Sequence, residues 1–336
     1  LLMLPVITAC DMYHEIQSLK QPKYEVGEHK GAKFCATCHQ EIYTQWSTNS
    51  RHAVATTAKS FLEFKEQFTD KFMFDAMMGE TMCYACHGSK KVNEGMNCET
   101  CHGLALPNTP IMETHQKKFS PGRVKIQESG FCGKCHDMKN PMSGEYLMAP
   151  YNEWKKSEAA ANDITCQACH MKPRGDNYRY HGFDTAVRKE GIYDDDLGVS
   201  NIALDFPNLN MTIENRVTGH AIPAGGPTRT LALEISIKDI EGNELYKITK
   251  SFAKKFSLVP ILGLMPYKLA ENIQLQSGEK RRLTFVLPSE LNGKISSAEL
   301  TLRMFEVSDE YQGDIEKAYF VSQPIVKEKI SFQNNN

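Results

Sequence analysis

Ten of the eleven cysteines in this chain fall in a single repeated pattern, Cys-x-x-Cys-His. The five copies are Cys35-Ala-Thr-Cys38-His39, Cys83-Tyr-Ala-Cys86-His87, Cys98-Glu-Thr-Cys101-His102, Cys132-Gly-Lys-Cys135-His136 and Cys166-Gln-Ala-Cys169-His170. This is the attachment signature of c-type haem. Two thiols add across the haem vinyl groups, and the two-residue spacer lets both reach one macrocycle. The adjacent His lies under the ring and supplies the proximal nitrogen to iron. A lone Cys-x-x-Cys could instead be half a zinc ribbon or a thioredoxin-like redox pair. Neither requires a following His, and His makes up only 11 of 336 residues. Coincidence in all five copies is not credible. The chain is therefore expected to carry five covalent haems, with His39, His87, His102, His136 and His170 on the irons.

That content limits the fold. The segment 29–183 holds all five motifs, about one per thirty residues. It cannot build an ordinary aliphatic core, so the haems themselves must be the core, wrapped by short helices and loops. Gly and Pro punctuate it at Gly88, Gly95, Gly103, Pro107, Pro110, Pro121 and Gly122, as expected of loops between haem-bearing turns. Helices are expected over Glu41–Phe68 and Asn152–Asn162. They belong to a degenerate repeat. One copy reads Cys35–His39, Tyr43-x-x-Trp46, Ser50-Arg-His52-Ala53; the other reads Cys132–His136, Tyr151-x-x-Trp154, Ser157-Glu-Ala159. The aromatic pair can pack on a porphyrin or serve as plain helix core. The second copy lacks the His, so its haem needs a ligand from elsewhere.

From about Asn201 there are no more Cys, and a period of two appears. Leu231, Leu233, Ile235 and Ile237 alternate with Ala232, Glu234, Ser236 and Lys238, followed by a turn at Glu241-Gly-Asn243 and a strand through Leu245, Tyr246 and Ile248. Further strands are expected at Asn210–Val217, Arg281–Leu287, Ala298–Val307 and Ile325–Phe332. The reading is a multidomain chain: a haem-cored, mainly helix-and-loop multihaem domain over 29–183, a linker over 184–200, and an antiparallel β-sandwich over 201–336.

The first 28 residues read differently again. Leu1–Ala9 is uncharged and mostly apolar and ends in small residues, like the end of a secretory signal. Ile7-Thr8-Ala9-Cys10 resembles a lipobox, which makes Cys10 a candidate lipidated N-terminus on a polar tether running to about Glu28. The expected location is the periplasm or outer surface of a bacterial cell, on a lipid anchor. Net charge is −2, which argues against a nucleic-acid partner. Two propionates per haem add up to roughly ten negative charges, so redox partners should present basic docking faces.

Function turns on the sixth ligand of each iron. Iron with two axial protein ligands passes electrons, whereas an open position binds and transforms substrate. Six His lie outside the motifs: His14, His29, His52, His115, His181 and His220. The expected distal set is His52, His115, His181, His220 and His29, with His14 on the tether as the spare.

These residues resemble a family beyond the haem signature. The pattern Cys35-x-x-Cys38-His39, Tyr43-x-x-Trp46-x-x-x-Ser50-x-His52-Ala53, then Asn97-Cys98-Glu-x-Cys101-His102-Gly103, then Trp154-x-x-Ser157 before Cys166-Gln-x-Cys169-His170-Met171, resembles the multihaem cytochrome c family. That family includes the tetrahaem electron acceptor of hydroxylamine oxidoreductase. Asn215–Gly225, with Gly219-His220 and Pro223, resembles the start of a C-terminal β-domain found in some members. The resemblance implies closely packed haems, bis-His ligation, low potentials and electron transfer. All five motifs end in His, unlike the ammonia-forming nitrite reductases, which have Lys at the catalytic haem. Hydroxylamine oxidoreductases carry eight haems.

Three readings follow. The preferred one is a lipid-anchored pentahaem carrier passing electrons between a membrane or periplasmic donor and a redox partner, with no catalytic residue and with the β-domain available for assembly. The second is an oxidoreductase with one five-coordinate haem acting on a small nitrogen or sulfur compound. The third is a subunit of a polymeric cytochrome wire.

Overall fold

A computed structural model of the chain describes residues 31–56, 62, 86–88, 94–102, 126–139, 144–175, 178–183, 195–226, 229–258, 267–306, 320–321 and 324–332. In chain order these form helices α1 (Ala32–Ala36) and α2 (Gln40–Asn49), a 3₁₀ turn (Arg51–Val54), α3 (Cys98–His102) and α4 (Ser129–Gly133). Strands β1 (Met138–Lys139) and β2 (Tyr146–Met148) precede α5 (Pro150–Trp154), α6 (Glu158–Ala161) and α7 (Cys166–His170). Strands β3 (Pro173–Arg174) and β4 (Tyr178–Arg179) form a short antiparallel ribbon. The long strands are β5 (Leu197–Asp205), β6 (Asn208–Asn215), β7 (Arg229–Lys238), β8 (Glu244–Leu258), β9 (Tyr267–Asn272), β10 (Lys280–Val286) and β11 (Ser297–Glu306), with β12 (Phe320–Val321) and β13 (Val326–Ser331) last.

The described residues fall into two compact units. Those within 1–146 and 165–183 form the first, and those within 147–164, 195–258 and 267–332 the second. The first carries the motifs, and its described helices are short, the longest being the ten residues of α2. The expected helix from Glu41 does not run uninterrupted to Phe68. It ends at Asn49 because Ser50 is extended (φ −80°, ψ 132°) and its hydroxyl accepts from the His52 N–H, capping a new turn. The positions beyond Thr56 lie outside the described residues except Leu62.

The second expected helix is likewise two. Pro150 opens α5, and α6 restarts where the Ser157 hydroxyl accepts from the Ala160 N–H. Both clusters with the strands, not with the motifs, although 147–164 was expected inside the haem segment.

The second unit is two antiparallel sheets facing a common core. One has the order β10-β6-β5. The other runs β12-β11-β7-β8-β9, with β13 also paired to β11. On the centre pair, Leu300 stands opposite Ile235 and Leu302 opposite Leu233. Leu231, Leu233, Ile235 and Ile237 are fully buried against Leu209, Met211 and Ile213 of the facing sheet, as the alternation required. Strands β5, β9 and the two-residue β12 of this unit escaped the sequence reading. β5 starts at Leu197, inside the stretch expected as linker, and its register shifts between Ser200 and Ala203, where Asn201 has φ +51°. That bulge breaks the period of two that marks a strand. β9 is mostly exposed, so it carries no alternating apolar face. No helix among the described residues is long and apolar enough to cross a membrane.

Candidate haem-binding site

Each described motif is one helical turn. In the first and fourth, the His39 and His136 N–H groups donate to the Cys35 and Cys132 carbonyls, both at 2.9 Å. The third and fifth are the whole of α3 and α7. Residues three and four apart on a helical turn share a face. A Cys-x-x-Cys-His turn therefore presents two thiols and an imidazole on one side, which is the donor set that covalent haem requires. Among the described residues no three His, Cys, Asp or Glu side chains gather as a cage for a bare metal ion. The residues fit the group. Haem, when bound, supplies the redox-active iron, and the chain supplies attachment, axial nitrogens and shielding from water.

Hydrogen bonding fixes each turn. Asn97 caps α3 by accepting from the Thr100 N–H at 3.1 Å, and Thr165 caps α7 by accepting from Ala168. The Glu94 carboxylate accepts from the Ala32 N–H at the start of α1, tying the first motif to the approach of the third. Buried Gln167, inside the fifth motif, donates to the Ile126 and Glu128 carbonyls ahead of the fourth, and buried Ser129 accepts from the Cys166 N–H at 3.0 Å. The thiols follow the same associations. Cys35 pairs with Cys98, Cys86 with Cys135, and Cys132 with Cys166. In the last pair the hydrogen bond with Cys132 holds the Cys166 thiol below its ordinary range, while the same bond pushes Cys132 up.

The two tryptophans do something the sequence did not reveal. The Trp46 indole N–H donates to the Met96 carbonyl at 2.8 Å, and the Trp154 indole N–H to the Ile164 carbonyl at 2.8 Å. Each accepting carbonyl lies two residues ahead of a motif, Cys98 in one copy and Cys166 in the other. The repeated Trp thus anchors the approach to the next haem turn. The repeat signalled that the residue mattered; the carbonyl it reaches, up to 50 residues away, could not be read from spacing.

Two of the expected distal histidines meet motif histidines. The ring of His52 lies 6.0 Å from that of His136, with the planes at 83°. The ring of His181 lies 6.2 Å from that of His102, with the planes at 25°. A metal–imidazole bond of about 2 Å, plus about 1 Å from nitrogen to ring centre, separates two ligands on opposite faces of one metal by roughly 6 Å. Both pairs match that spacing.

Their second nitrogens are held. His181 Nδ1 donates to the Arg179 carbonyl at 2.6 Å, and His87 Nδ1 to the Ala55 carbonyl at 3.0 Å. His52 Nδ1 is 3.3 Å from the Ser50 hydroxyl. A carbonyl acceptor at Nδ1 fixes the tautomer with its lone pair on Nε2, the arrangement of metal-binding imidazoles. Burial lowers the proton affinity of His87 and His181, keeping both neutral.

His181 reaches its place because β3 and β4 turn the chain back after α7. The Tyr180 N–H donates to the Lys172 carbonyl, Asn49 donates to the Tyr180 hydroxyl at 2.7 Å, and the His181 N–H donates to Gln45 Oε1 at 3.0 Å. His52 is held from behind by Gly95, whose φ is +69°; a Cβ there would collide with the His52 carbonyl.

His220 sits in the β6–β7 loop of the second unit, its Nδ1 donating to the Ala221 carbonyl at 3.0 Å. Buried Asn215 donates to the His220, Leu275 and Gln276 carbonyls, and Glu153 of α5 accepts from the Ala221 N–H. Cys38, Cys101, Cys169, His39 and His170 lie in the turns of their motifs. Cys83, His115, His29, His14 and Cys10 lie outside the described residues.

Fold and site together define a multihaem c-type cytochrome with covalently bound haem. The family model described as cytochrome c554 and c-prime matches residues 34–103, the stretch from α1 through the third motif. A penta-heme cytochrome c552 from Thermochromatium tepidum has the same fold, at 20% identity and TM-score 0.65, over 93% of this chain and 100% of that one. An endonuclease/exonuclease/phosphatase from Beutenbergia cavernae aligns over 39% of this chain at 11% identity and TM-score 0.17. No curated protein matches the chain.

Proposed function

We propose that this protein is a pentahaem electron carrier of the bacterial periplasm or outer surface, lipid-anchored through Cys10. The observation that carries the reading is the pairing of His52 with His136 and of His181 with His102 at the spacing of two ligands on one iron. A haem held from both faces exchanges electrons and has no site for substrate. The missing histidine of the second repeat copy then has a physical answer: His52, from the first copy, serves the haem of the fourth motif. The remaining motif histidines are His39, His87 and His170, and four further histidines in the chain, His14, His29, His115 and His220, are enough to serve them.

In this role the chain performs no acid–base step. Its residues aim the imidazoles, hold neighbouring haem turns together through Gln167, Ser129 and Glu94, and exclude water from the irons. The donor in this reading is a membrane or periplasmic redox protein, and the acceptor is a redox partner outside the cytoplasm. The five motifs support the haem count, as does the similarity to a penta-heme cytochrome.

Carbon monoxide titration of the fully reduced holoprotein tests this. The expected visible spectrum does not change, while His52→Ala and His181→Ala each bind about one equivalent per chain. Binding to the unmutated protein would mean an open iron and an oxidoreductase of small nitrogen or sulfur compounds.

A further inference from the structure

We propose that Phe183 is a positioning residue that sets the orientation of the His52 imidazole, and so makes two of the haems electronically unlike. The inference rests on the axial pairs proposed above.

One phenyl ring meets both distal histidines. It lies 4.5 Å from the His52 ring at 84° and 6.4 Å from the His181 ring at 87°, edge to face in both cases. Its backbone is unusual. Phe183 has φ +46°, a left-handed conformation that bulky residues seldom adopt. Such a conformation persists only where the surroundings over-determine it. Here they do. The preceding residue, buried Gly182, has the Tyr180 ring against it where any side chain would collide. Tyr180 is itself held by Asn49, by the Lys172 carbonyl and by the Arg174 guanidinium over its ring at 5.2 Å. The chain therefore spends backbone strain to put this ring between the two imidazoles.

The two pairs differ in the angle between their planes, 83° for His52 with His136 and 25° for His102 with His181. That angle matters because each imidazole donates π density from orbitals perpendicular to its own plane. Near-parallel planes split the iron orbitals unevenly and give a rhombic low-spin signal. Near-perpendicular planes leave them almost degenerate and give a strongly anisotropic signal with a large maximum g value. The hold on the two distal rings is unequal. His181 has a 2.6 Å bond to a carbonyl and lies 6.4 Å from the Phe183 ring, whereas the His52 ring lies 4.5 Å from Phe183 and its Nδ1 is 3.3 Å from the Ser50 hydroxyl. Removing the phenyl ring should free His52 and leave His181 in place.

The experiment is low-temperature electron paramagnetic resonance of the oxidised holoprotein, with haem content and carbon monoxide reactivity measured on the same samples. The unmutated protein should show at least one large-g signal and one rhombic signal. In Phe183→Leu the large-g intensity should fall by roughly one haem per chain while the rhombic signal stays. Phe183→Tyr should retain both. Phe183→Gly, which relaxes the backbone as it removes the ring, should behave like the Leu variant and guards against misfolding as the cause. A spectrum of Phe183→Leu superimposable on the parent, with full haem and no carbon monoxide binding, overturns the role of Phe183 and leaves the axial pairs standing. High-spin signals or carbon monoxide binding in the unmutated protein overturn the pairs themselves.

Discussion

At the scale of single residues, Trp46 shows how this chain uses a side chain for placement. It is buried, and its N–H reaches the Met96 carbonyl just ahead of the third motif. Trp46→Phe keeps most of the apolar volume and removes the donor, leaving that carbonyl without its partner at a cost of about 1–3 kcal/mol. Chemical denaturation should show the loss, and mass spectrometry should show incomplete haem loading at Cys98 and Cys101. Full loading with unchanged stability would mean that the indole is only core. The haem-attaching residues were legible because thioether chemistry demands a fixed local spacing. The partners of His52 and His181 were not, because a distal ligand is chosen by how distant turns meet. His52 follows the first motif in sequence yet lies against the histidine of the fourth.

At the scale of elements, short turns depend on caps and buried polar anchors more than on propensity. Ser50 and Ser157 each stop one helix and start the next, which is why neither expected long helix formed. The strands were easier to read. Where one face is buried, the alternation of β7 is imposed by the pleat, and where a bulge interrupts it, as at Asn201 in β5, the pattern fades. The β6–β7 loop hangs on Asn215, which is fully buried and donates to three carbonyls while accepting from the Val217 N–H. Asn215→Ala should destabilise the β unit by on the order of 3 kcal/mol, since several buried groups lose partners together. A far-ultraviolet thermal melt reads it, and Asn215→Asp, which keeps the acceptor and loses the donors, should recover only part.

At the scale of the whole molecule, the two units are held together by different matter. The β unit has a continuous cluster of buried aliphatic and aromatic side chains drawn from both sheets. In the cytochrome unit, the only buried apolar side chains among the described residues are Ala32 and Trp46. Burial of apolar area is the main favourable term in folding. The described part of this unit has little of its own, and haem is expected to supply that area. Chain produced without haem attachment should therefore keep the strand signal in circular dichroism and a protease-resistant fragment containing Leu197–Ser331. Its motif segment should be cut within the same digestion that leaves the holoprotein intact. Equal resistance of the two segments would mean that the polypeptide alone packs the cytochrome unit, and that the haems are guests in a preformed fold.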